Sequence, residues 1–103
     1  MNFIESHKEN LIVLCKKHKV KEIYLFGSVL TNDFNDNSDL DFSVIFDRVQ
    51  LSNPVEFGKN YWSFLSELKV ELNRNVDLVI EEGLKNKYFI KELNKTKKLL
   101  YAA

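Results

Sequence analysis

The chain has 103 residues, of which 45% are hydrophobic and 29% charged, and its formal net charge is zero. This balance is typical of a folded globular protein and argues against disorder. The length suffices for one modest hydrophobic core, so we expect a single domain over residues 1–103. Because a neutral chain has no general attraction to nucleic acid or to an anionic membrane, we expect neither as a direct partner.

The chain also carries no sequence signal for a membrane or an oxidising compartment. No apolar run approaches the roughly 18 residues that a membrane-spanning helix needs. Residues 1–5 lack the basic region and apolar stretch of a secretion signal. Cys15 is the only cysteine and has no internal disulfide partner. We therefore expect a cytoplasmic protein in a reducing environment.

The first third of the chain contains signals for a helix, a strand and a loop. Apolar residues recur at three- and four-residue spacing from Phe3 to about His18, which predicts an amphipathic helix. Residues 23–26 form a short apolar run closed by Gly27 and predict a buried strand. Residues 32–38 are mostly turn formers and predict a loop.

The middle of the chain predicts two strands separated by a helix. Residues 39–47 and 76–81 each alternate apolar and polar side chains, as a half-buried strand does. Between them, Asn53 suits a helix N-cap and Pro54 suits the first helical position. The apolar stripe of this helix continues to Leu72.

The last part of the chain completes the fold class. Residues 86–95 predict a basic helix, and residues 99–101 predict either a short strand or a frayed end. The order of elements is that of an α/β or α+β domain, with a small mixed sheet flanked by helices. The pattern alone leaves open whether the two strands on either side of residues 28–38 pair in parallel or antiparallel fashion.

Asp39 and Asp41 carry the clearest chemical signal. Residues two apart on a strand point to the same face, about 6.5–7 Å apart, and two ionised carboxylates so placed repel each other. A Mg²⁺ ion removes this repulsion because hard cations prefer carboxylate oxygens. Asp77 lies near the start of the other alternating strand. If the strands are neighbours, three carboxylates meet as two-metal nucleotidyl or phosphoryl transfer requires.

Gly27 and Ser28 add a second element to the candidate site, because they directly follow a predicted buried strand. A glycine there lets the backbone turn sharply and approach a ligand closely. The backbone amides that follow, together with the Ser28 hydroxyl, would be placed to hold a phosphate.

The spacing of these elements resembles a known signature. Leu25-Phe26-Gly27-Ser28, ten further residues and Asp39-Leu40-Asp41-Phe42 are similar to the Gly-Ser-x(10)-Asp-x-Asp motif of the DNA polymerase beta-like nucleotidyltransferase superfamily. The small size and the segment Asn75-Val76-Asp77-Leu78-Val79 narrow the resemblance to the minimal nucleotidyltransferases, the MNT proteins. The resemblance covers essentially the whole chain and implies the nucleotidyltransferase fold.

The resemblance implies specific roles for the five site residues. Asp39 and Asp41 would bind two Mg²⁺ ions, and Asp77 would complete the metal site and help to activate the attacking hydroxyl. Gly27 and Ser28 would hold the nucleotide triphosphate, with ATP as the substrate. The catalytic and metal-binding set is therefore expected to be the three aspartates.

The resemblance also implies a partner. Many minimal nucleotidyltransferases are antitoxins that bind a HEPN ribonuclease toxin and transfer AMP from ATP to a tyrosine of that toxin. We accordingly expect a protein adenylyltransferase of a HEPN/MNT toxin–antitoxin pair. A homo- or hetero-oligomer is also considered, because a domain this small gains stability by burying its aromatic surface.

The stretch after Ser28 departs from the pattern of that family. Its members commonly continue with Arg-Ala-Arg-Gly, whereas residues 29–32 here are Val-Leu-Thr-Asn and contain no cation. This difference motivates an alternative, a non-catalytic antitoxin that neutralises its partner by contact. Arg48, Arg74, Lys85 and Lys87 are candidates for the missing cation, and the sequence does not select among them.

Three further signals favour structural roles. His7 and His18 are eleven residues apart on the first predicted helix, which is not a metal-ligand spacing. Cys15 lies on the apolar stripe and is expected in the core. Residues 33–41 resemble a calcium loop, but Ser38 stands where that loop needs glycine, so a solvated turn is the better interpretation.

Overall fold

Helices and strands alternate along residues 2–103, the part of the chain that the computed structural model describes. The elements in chain order are α1 (Asn2–Lys17), β1 (Val20–Phe26), a 3-10 turn (Gly27–Leu30), β2 (Leu40–Phe46), α2 (Pro54–Leu72), β3 (Val76–Ile80), a second 3-10 turn (Glu81–Gly83), α3 (Lys87–Thr96) and β4 (Lys98–Ala102). The α+β class, with a small sheet flanked by helices, is confirmed.

The four strands form one mixed sheet in the order β3-β2-β1-β4. β1 is antiparallel to both β2 and β4, whereas β2 and β3 are parallel. The pairing that the sequence left open, between the strands on either side of residues 28–38, is therefore antiparallel. Because β1 runs against β2 and β3, the end of β1 lies at the same edge of the sheet as the starts of β2 and β3.

The core lies on one face of the sheet, under α1 and α2. Every second residue of β2 is buried there, and the rings of Phe46 and Phe64 meet edge to face with centroids 5.9 Å apart. Helix α3 covers the other face, where Phe89 contacts Phe26 at a centroid distance of 6.0 Å. The residues of this core with less than 2% exposure include Leu11, Cys15, Ile23, Leu40, Phe42, Val44, Phe46, Phe64 and Leu68.

The helices begin and end close to the predicted residues. Asn53 is the N-cap of α2, as predicted, and its side chain accepts hydrogen bonds from the Val55 and Glu56 amides at 2.9 and 3.2 Å. Cys15 is buried in the core, also as predicted. Helix α1 ends one residue before His18, because Lys19 adopts a positive φ of 60° and turns the chain into β1.

The strand boundaries differ from the predictions where pairing, rather than hydrophobicity, decides them. β1 begins at Val20, three residues before the apolar run, because Val20 and Glu22 pair with β2. β2 begins at Leu40, and Glu81 belongs to a 3-10 turn rather than to β3. The C-terminal segment is a strand, not a frayed end, since it pairs with β1.

Within residues 2–103, none of the helices combines the length and the apolar character needed to cross a membrane.

Candidate active site

The predicted site residues lie at the sheet edge where β1 ends and β2 and β3 begin. Phe26, the last residue of β1, pairs with Asp41 in the antiparallel register. Asp41 pairs with Asp77 in the parallel register of β2 and β3. The two strands that carry Asp41 and Asp77 are therefore neighbours, as the predicted site requires. Asp41 lies between Phe26 and Asp77 in this row of paired residues.

Asp39 lies one residue before β2 and is exposed. Its position is set by the next residue, because the Leu40 amide donates to the Asn75 carbonyl at 3.1 Å. The prediction that Asp39 and Asp41 lie on one strand is wrong for Asp39, which lies just outside β2. The two carboxylates are still close enough for the charge of Asp39 to act on Asp41.

The surroundings of Asp41 disfavour a negative charge on its carboxyl group. Partial burial raises the pKa of its carboxyl above the ordinary value, and the negative charges of Asp77 and Asp39 raise it further. Burial, and then the charge of Asp77, also raise the pKa of Tyr61, whose hydroxyl donates to the Leu78 carbonyl at 2.7 Å. Tyr61, from α2, is thus a neighbour of Asp77.

The donor chemistry of this edge fits Mg²⁺ held together with a nucleotide. Within residues 2–103, no three His, Cys, Asp or Glu side chains are grouped closely enough to hold an ion by themselves. However, Mg²⁺ is usually held by one or two carboxylates, with phosphate oxygens and waters completing its shell. Asp41 and Asp77, paired on strands about 4.8 Å apart, offer such carboxylates. Their mutual repulsion is a reason for them to take up a cation.

The turn at Gly27 packs directly against Asp41. Gly27 has a φ of +79°, which is in the left-handed region. A Cβ atom on Gly27 would lie 2.3 Å from Oδ2 and 3.2 Å from Cγ of Asp41. Both observations require glycine, and they place the Gly27-Ser28 backbone against the carboxylate row. The Ser28 carbonyl accepts from the Thr31 amide at 2.9 Å and from its hydroxyl at 2.8 Å, which closes the turn.

The cation-free stretch after Ser28 has a structural explanation. Val29 is 5% exposed and belongs to the core, and Leu30 packs against that core. These two side chains therefore anchor the turn to the core.

The two candidate arginines are engaged elsewhere. Arg48 follows the far end of β2, where its guanidinium lies 4.1 Å from the Phe57 ring centroid and 3.8 Å from Glu82. Arg74 donates to the carbonyls of Asn35 and Ser38 in the loop before Asp39. The remaining candidates, Lys85 and Lys87, are exposed around the start of α3.

A polar network continues along the sheet face that carries Asp41. The fully buried Ser43 hydroxyl donates to Oε2 of Glu81 at 3.0 Å. Nζ of Lys97 donates to Oε1 of Glu81 at 2.8 Å and lies 4.0 Å from the Tyr24 ring centroid. The two-residue spacing of Ser43 from Asp41 was visible in the sequence. The contribution of Lys97 was not, because it arrives from the far end of α3.

The polymerase beta nucleotidyltransferase family profile matches residues 9–103, which include all five predicted site residues. The chain belongs to this family. It is therefore a nucleotidyltransferase, as the spacing of its Gly-Ser turn and its aspartates indicated.

Two curated proteins of Methanocaldococcus jannaschii are similar to this nucleotidyltransferase over most of its length. MJ1379 is 32% identical over 90 residues, which cover 87% of this chain and 83% of the relative. MJ0128 is 34% identical over 92 residues, which cover 89% of this chain and 85% of the relative. Both relatives are named as inferred protein adenylyltransferases.

Solved structures share the fold of this nucleotidyltransferase. A protein described as an inferred minimal nucleotidyltransferase matches with a TM-score of 0.73 and 23% identity, over 92% of this chain and 90% of that one. A toxin–antitoxin crystallised with AMP-PNP matches with a TM-score of 0.69 and 24% identity, over 93% and 73%. A tri-AMPylated Shewanella oneidensis HEPN toxin in complex with an MNT antitoxin matches with a TM-score of 0.64 and 21% identity. The match covers 96% of this chain and 72% of that one. The nucleotidyltransferase fold is thereby confirmed.

Proposed function

We propose that this nucleotidyltransferase transfers AMP from ATP to a tyrosine hydroxyl of a HEPN toxin in a Mg²⁺-dependent reaction, and so acts as a cytoplasmic antitoxin. One observation carries the proposal, namely the strand register that sets Phe26 beside Asp41 and Asp41 beside Asp77. This register puts the Gly27-Ser28 turn and the carboxylates at one edge of the sheet.

The similar proteins support the nucleotide and the acceptor. The curated relatives are named for protein adenylyl transfer. Among proteins of the same fold, one toxin–antitoxin was crystallised with AMP-PNP, an ATP analogue, and another contains an AMPylated HEPN toxin. Together they favour ATP as the donor and a HEPN toxin as the partner and acceptor.

The proposed roles follow from the position of each residue. Asp39, Asp41 and Asp77 would hold two Mg²⁺ ions, which would neutralise charge on the triphosphate and on the departing pyrophosphate. The backbone of Gly27 and Ser28 would hold the phosphates, because the glycine leaves room for close approach. The nucleotide itself would complete the ion shells that the carboxylates leave open.

The transfer itself conserves all atoms. The acceptor oxygen forms a bond to the α-phosphorus of ATP while the bond between that phosphorus and the bridging oxygen to the β-phosphate breaks. AMP is left on the acceptor, and pyrophosphate departs with the electron pair of the broken bond. Asp77 is the proposed acceptor of the proton that the hydroxyl releases.

The deciding experiment measures transfer and toxin inhibition together. The purified protein is incubated with Mg²⁺, ATP labelled in its α-phosphate and the toxin encoded beside it, and AMP on the toxin is measured by mass spectrometry. We expect one AMP mass per modified tyrosine, loss of transfer in Asp41→Asn and Asp77→Asn, and full activity in Asp36→Asn, which changes an exposed loop carboxylate. No transfer by the wild type, combined with undiminished toxin inhibition by both site variants, would exclude the adenylyltransferase.

A contact-only antitoxin is the second candidate. The absence of a cation in residues 29–32 and the engagement of Arg48 and Arg74 in other contacts favour it. This candidate predicts that a variant with all three site aspartates changed to asparagine still inhibits the toxin. It also predicts a stable complex, measurable by size-exclusion chromatography, that forms without ATP or Mg²⁺.

A further inference from the structure

Arg74 lies in the short connection between α2 and β3, three residues before Asp77. The connection begins at Asn73, which ends α2 in a left-handed conformation with φ 50° and ψ 45°. The guanidinium carbon of Arg74 lies 4.4 Å from the Phe3 ring centroid and 4.7 Å from that of Phe34. Arg74 therefore contacts one ring from α1 and one from the loop that leads to Asp39.

The same guanidinium also holds the backbone of that loop. Nη1 donates to the Asn35 carbonyl at 3.1 Å and to the Ser38 carbonyl at 3.0 Å. The loop closes on itself at these residues, because the Ser38 amide donates to the Asn35 carbonyl at 3.0 Å. The turn that Arg74 secures thus ends at the residue immediately before Asp39.

Asp39 is anchored on its other side by the neighbour of Arg74. The Leu40 amide donates to the Asn75 carbonyl at 3.1 Å. The residues before and after Asp39 are therefore both hydrogen-bonded to a two-residue segment that directly precedes Val76 and Asp77. This arrangement joins the position of Asp39 to that of Asp77.

We infer that Arg74 is a positioning residue for the carboxylate site, an inference that rests on the proposed function. It holds the loop before β2 so that the Asp39 carboxylate stays at the edge occupied by Asp41 and Asp77. The loop is mostly exposed and polar, and Phe34 is the loop residue that packs against the core. The order of the loop therefore depends on contacts such as those of Arg74. A guanidinium suits the task because it donates hydrogen bonds and stacks on rings at the same time.

This assignment changes the expected role of Arg74. The sequence made it a candidate for the missing phosphate cation. Its contacts instead direct it to two carbonyls and two rings of the scaffold. In this assignment Arg74 acts on the nucleotide through the position of Asp39.

The test compares Arg74→Ala with Arg48→Ala. Arg48 is a matched control, because it also lies over a phenylalanine ring but follows the far end of β2. Three quantities are measured well below the melting temperature: hydrogen exchange of the amides in residues 35–40, affinity for Mn²⁺ alone by electron paramagnetic resonance, and the kcat and KM of AMP transfer. For Arg74→Ala we expect exchange at least about tenfold faster, Mn²⁺ bound about tenfold more weakly and a fall in kcat that exceeds any change in KM for ATP. Arg48→Ala is expected to match the wild type.

Two further variants keep the test decisive if Arg74→Ala folds poorly. Phe34→Leu removes the ring that Arg74 contacts on the loop. It is expected to speed up hydrogen exchange in residues 35–40 by a smaller factor than Arg74→Ala does. Arg74→Lys retains a charged donor for the two carbonyls and is expected to recover part of the Mn²⁺ affinity. If Arg74→Ala has the same hydrogen exchange and the same Mn²⁺ affinity as the wild type, the inference is overturned. A wild type that neither binds Mn²⁺ nor transfers AMP would contradict the proposed function instead, while the exchange comparison still decides whether Arg74 orders the loop.

Discussion

Gly27 lies so close to Asp41 that a Cβ atom on the glycine would come within 2.3 Å of the Asp41 Oδ2 atom. The φ of +79° at Gly27 separately disfavours any side chain. Two independent constraints thus require glycine at the point where the turn after β1 meets the carboxylate row. The turn and Asp41 consequently act as one unit, and a change in either is expected to displace the other.

The first prediction concerns Gly27→Ala. The left-handed conformation costs an alanine roughly 1–2 kcal/mol, and the methyl group must displace the Asp41 carboxylate. We expect lower thermal stability and a loss of AMP transfer of at least about a hundredfold, measured with labelled ATP. Gly58→Ala is the control, because no atom lies within 4 Å of the added methyl group and Gly58 is inside α2. It is expected to stabilise the protein by about 0.5–1 kcal/mol and to leave transfer unchanged.

The second prediction concerns the pH dependence of Asp41→Asn. Burial and the charges of Asp77 and Asp39 raise the pKa of the Asp41 carboxyl in the folded protein. The folded state therefore favours the protonated form, and this contribution to stability is lost as the pH rises through the raised pKa. In metal-free buffer at pH 7 we expect Asp41→Asn to be more stable than the wild type, by less than about 1 kcal/mol because solvent screens the site.

Thermal unfolding between pH 3 and pH 8 measures this difference. The gap between Asp41→Asn and the wild type should widen as the pH rises and vanish below the pKa of the unfolded carboxyl. Asp36→Asn, which changes an exposed loop carboxylate, is the control variant in the same scan. An Asp41→Asn variant less stable than the wild type at pH 7 without metal would contradict the repulsive row of carboxylates.

The third prediction separates two ion pairs by their burial. Lys97 and Glu81 have side-chain exposures of 15% and 16%, whereas those of Lys17 and Glu67 are 60% and 34%. Because Lys97→Met leaves the Glu81 charge partly buried beside Ser43, we expect it to lower the free energy of unfolding by about 1–3 kcal/mol. Lys17→Met should lower it by no more than about 1 kcal/mol.

Urea unfolding of both variants measures these values. A double-mutant cycle with Glu81→Gln then isolates the contribution of the pair itself. Equal effects of the two lysine substitutions would contradict the expectation that burial makes the Lys97–Glu81 pair the more important of the two.

The fourth prediction concerns the thiol of Cys15. Its side chain is fully buried, and burial raises the pKa of the thiol to about 12. Since the thiolate is the reactive form, we expect Ellman's reagent to label the native protein very slowly at pH 8 and to label one thiol per chain in guanidinium chloride. Rapid labelling of the native protein at that pH would mean that α1 separates readily from the sheet.

Local patterns were sufficient for the element types and for the chemistry of individual residues. The cap at Asn53, the helix that follows it and the burial of Cys15 depend on neighbours along the chain and on hydrophobic spacing. The predictions of where the strands begin and end were less accurate. Val20 and Glu22 belong to β1 because of the strand opposite them, and hydrophobicity does not encode that pairing.

The amino-acid sequence by itself determined which residues are candidates for the site, because the Gly27-Ser28 and Asp39-x-Asp41 spacing is a local property of the chain. Only the tertiary structure decided how those residues meet. The parallel pairing of β2 with β3 brings Asp77 beside Asp41, although the two are far apart in the chain. The packing of Gly27 against Asp41 and the engagement of Arg74 in the loop likewise arise from long-range contacts. Such contacts depend on how the strands and helices assemble, and residue spacing alone does not specify that assembly.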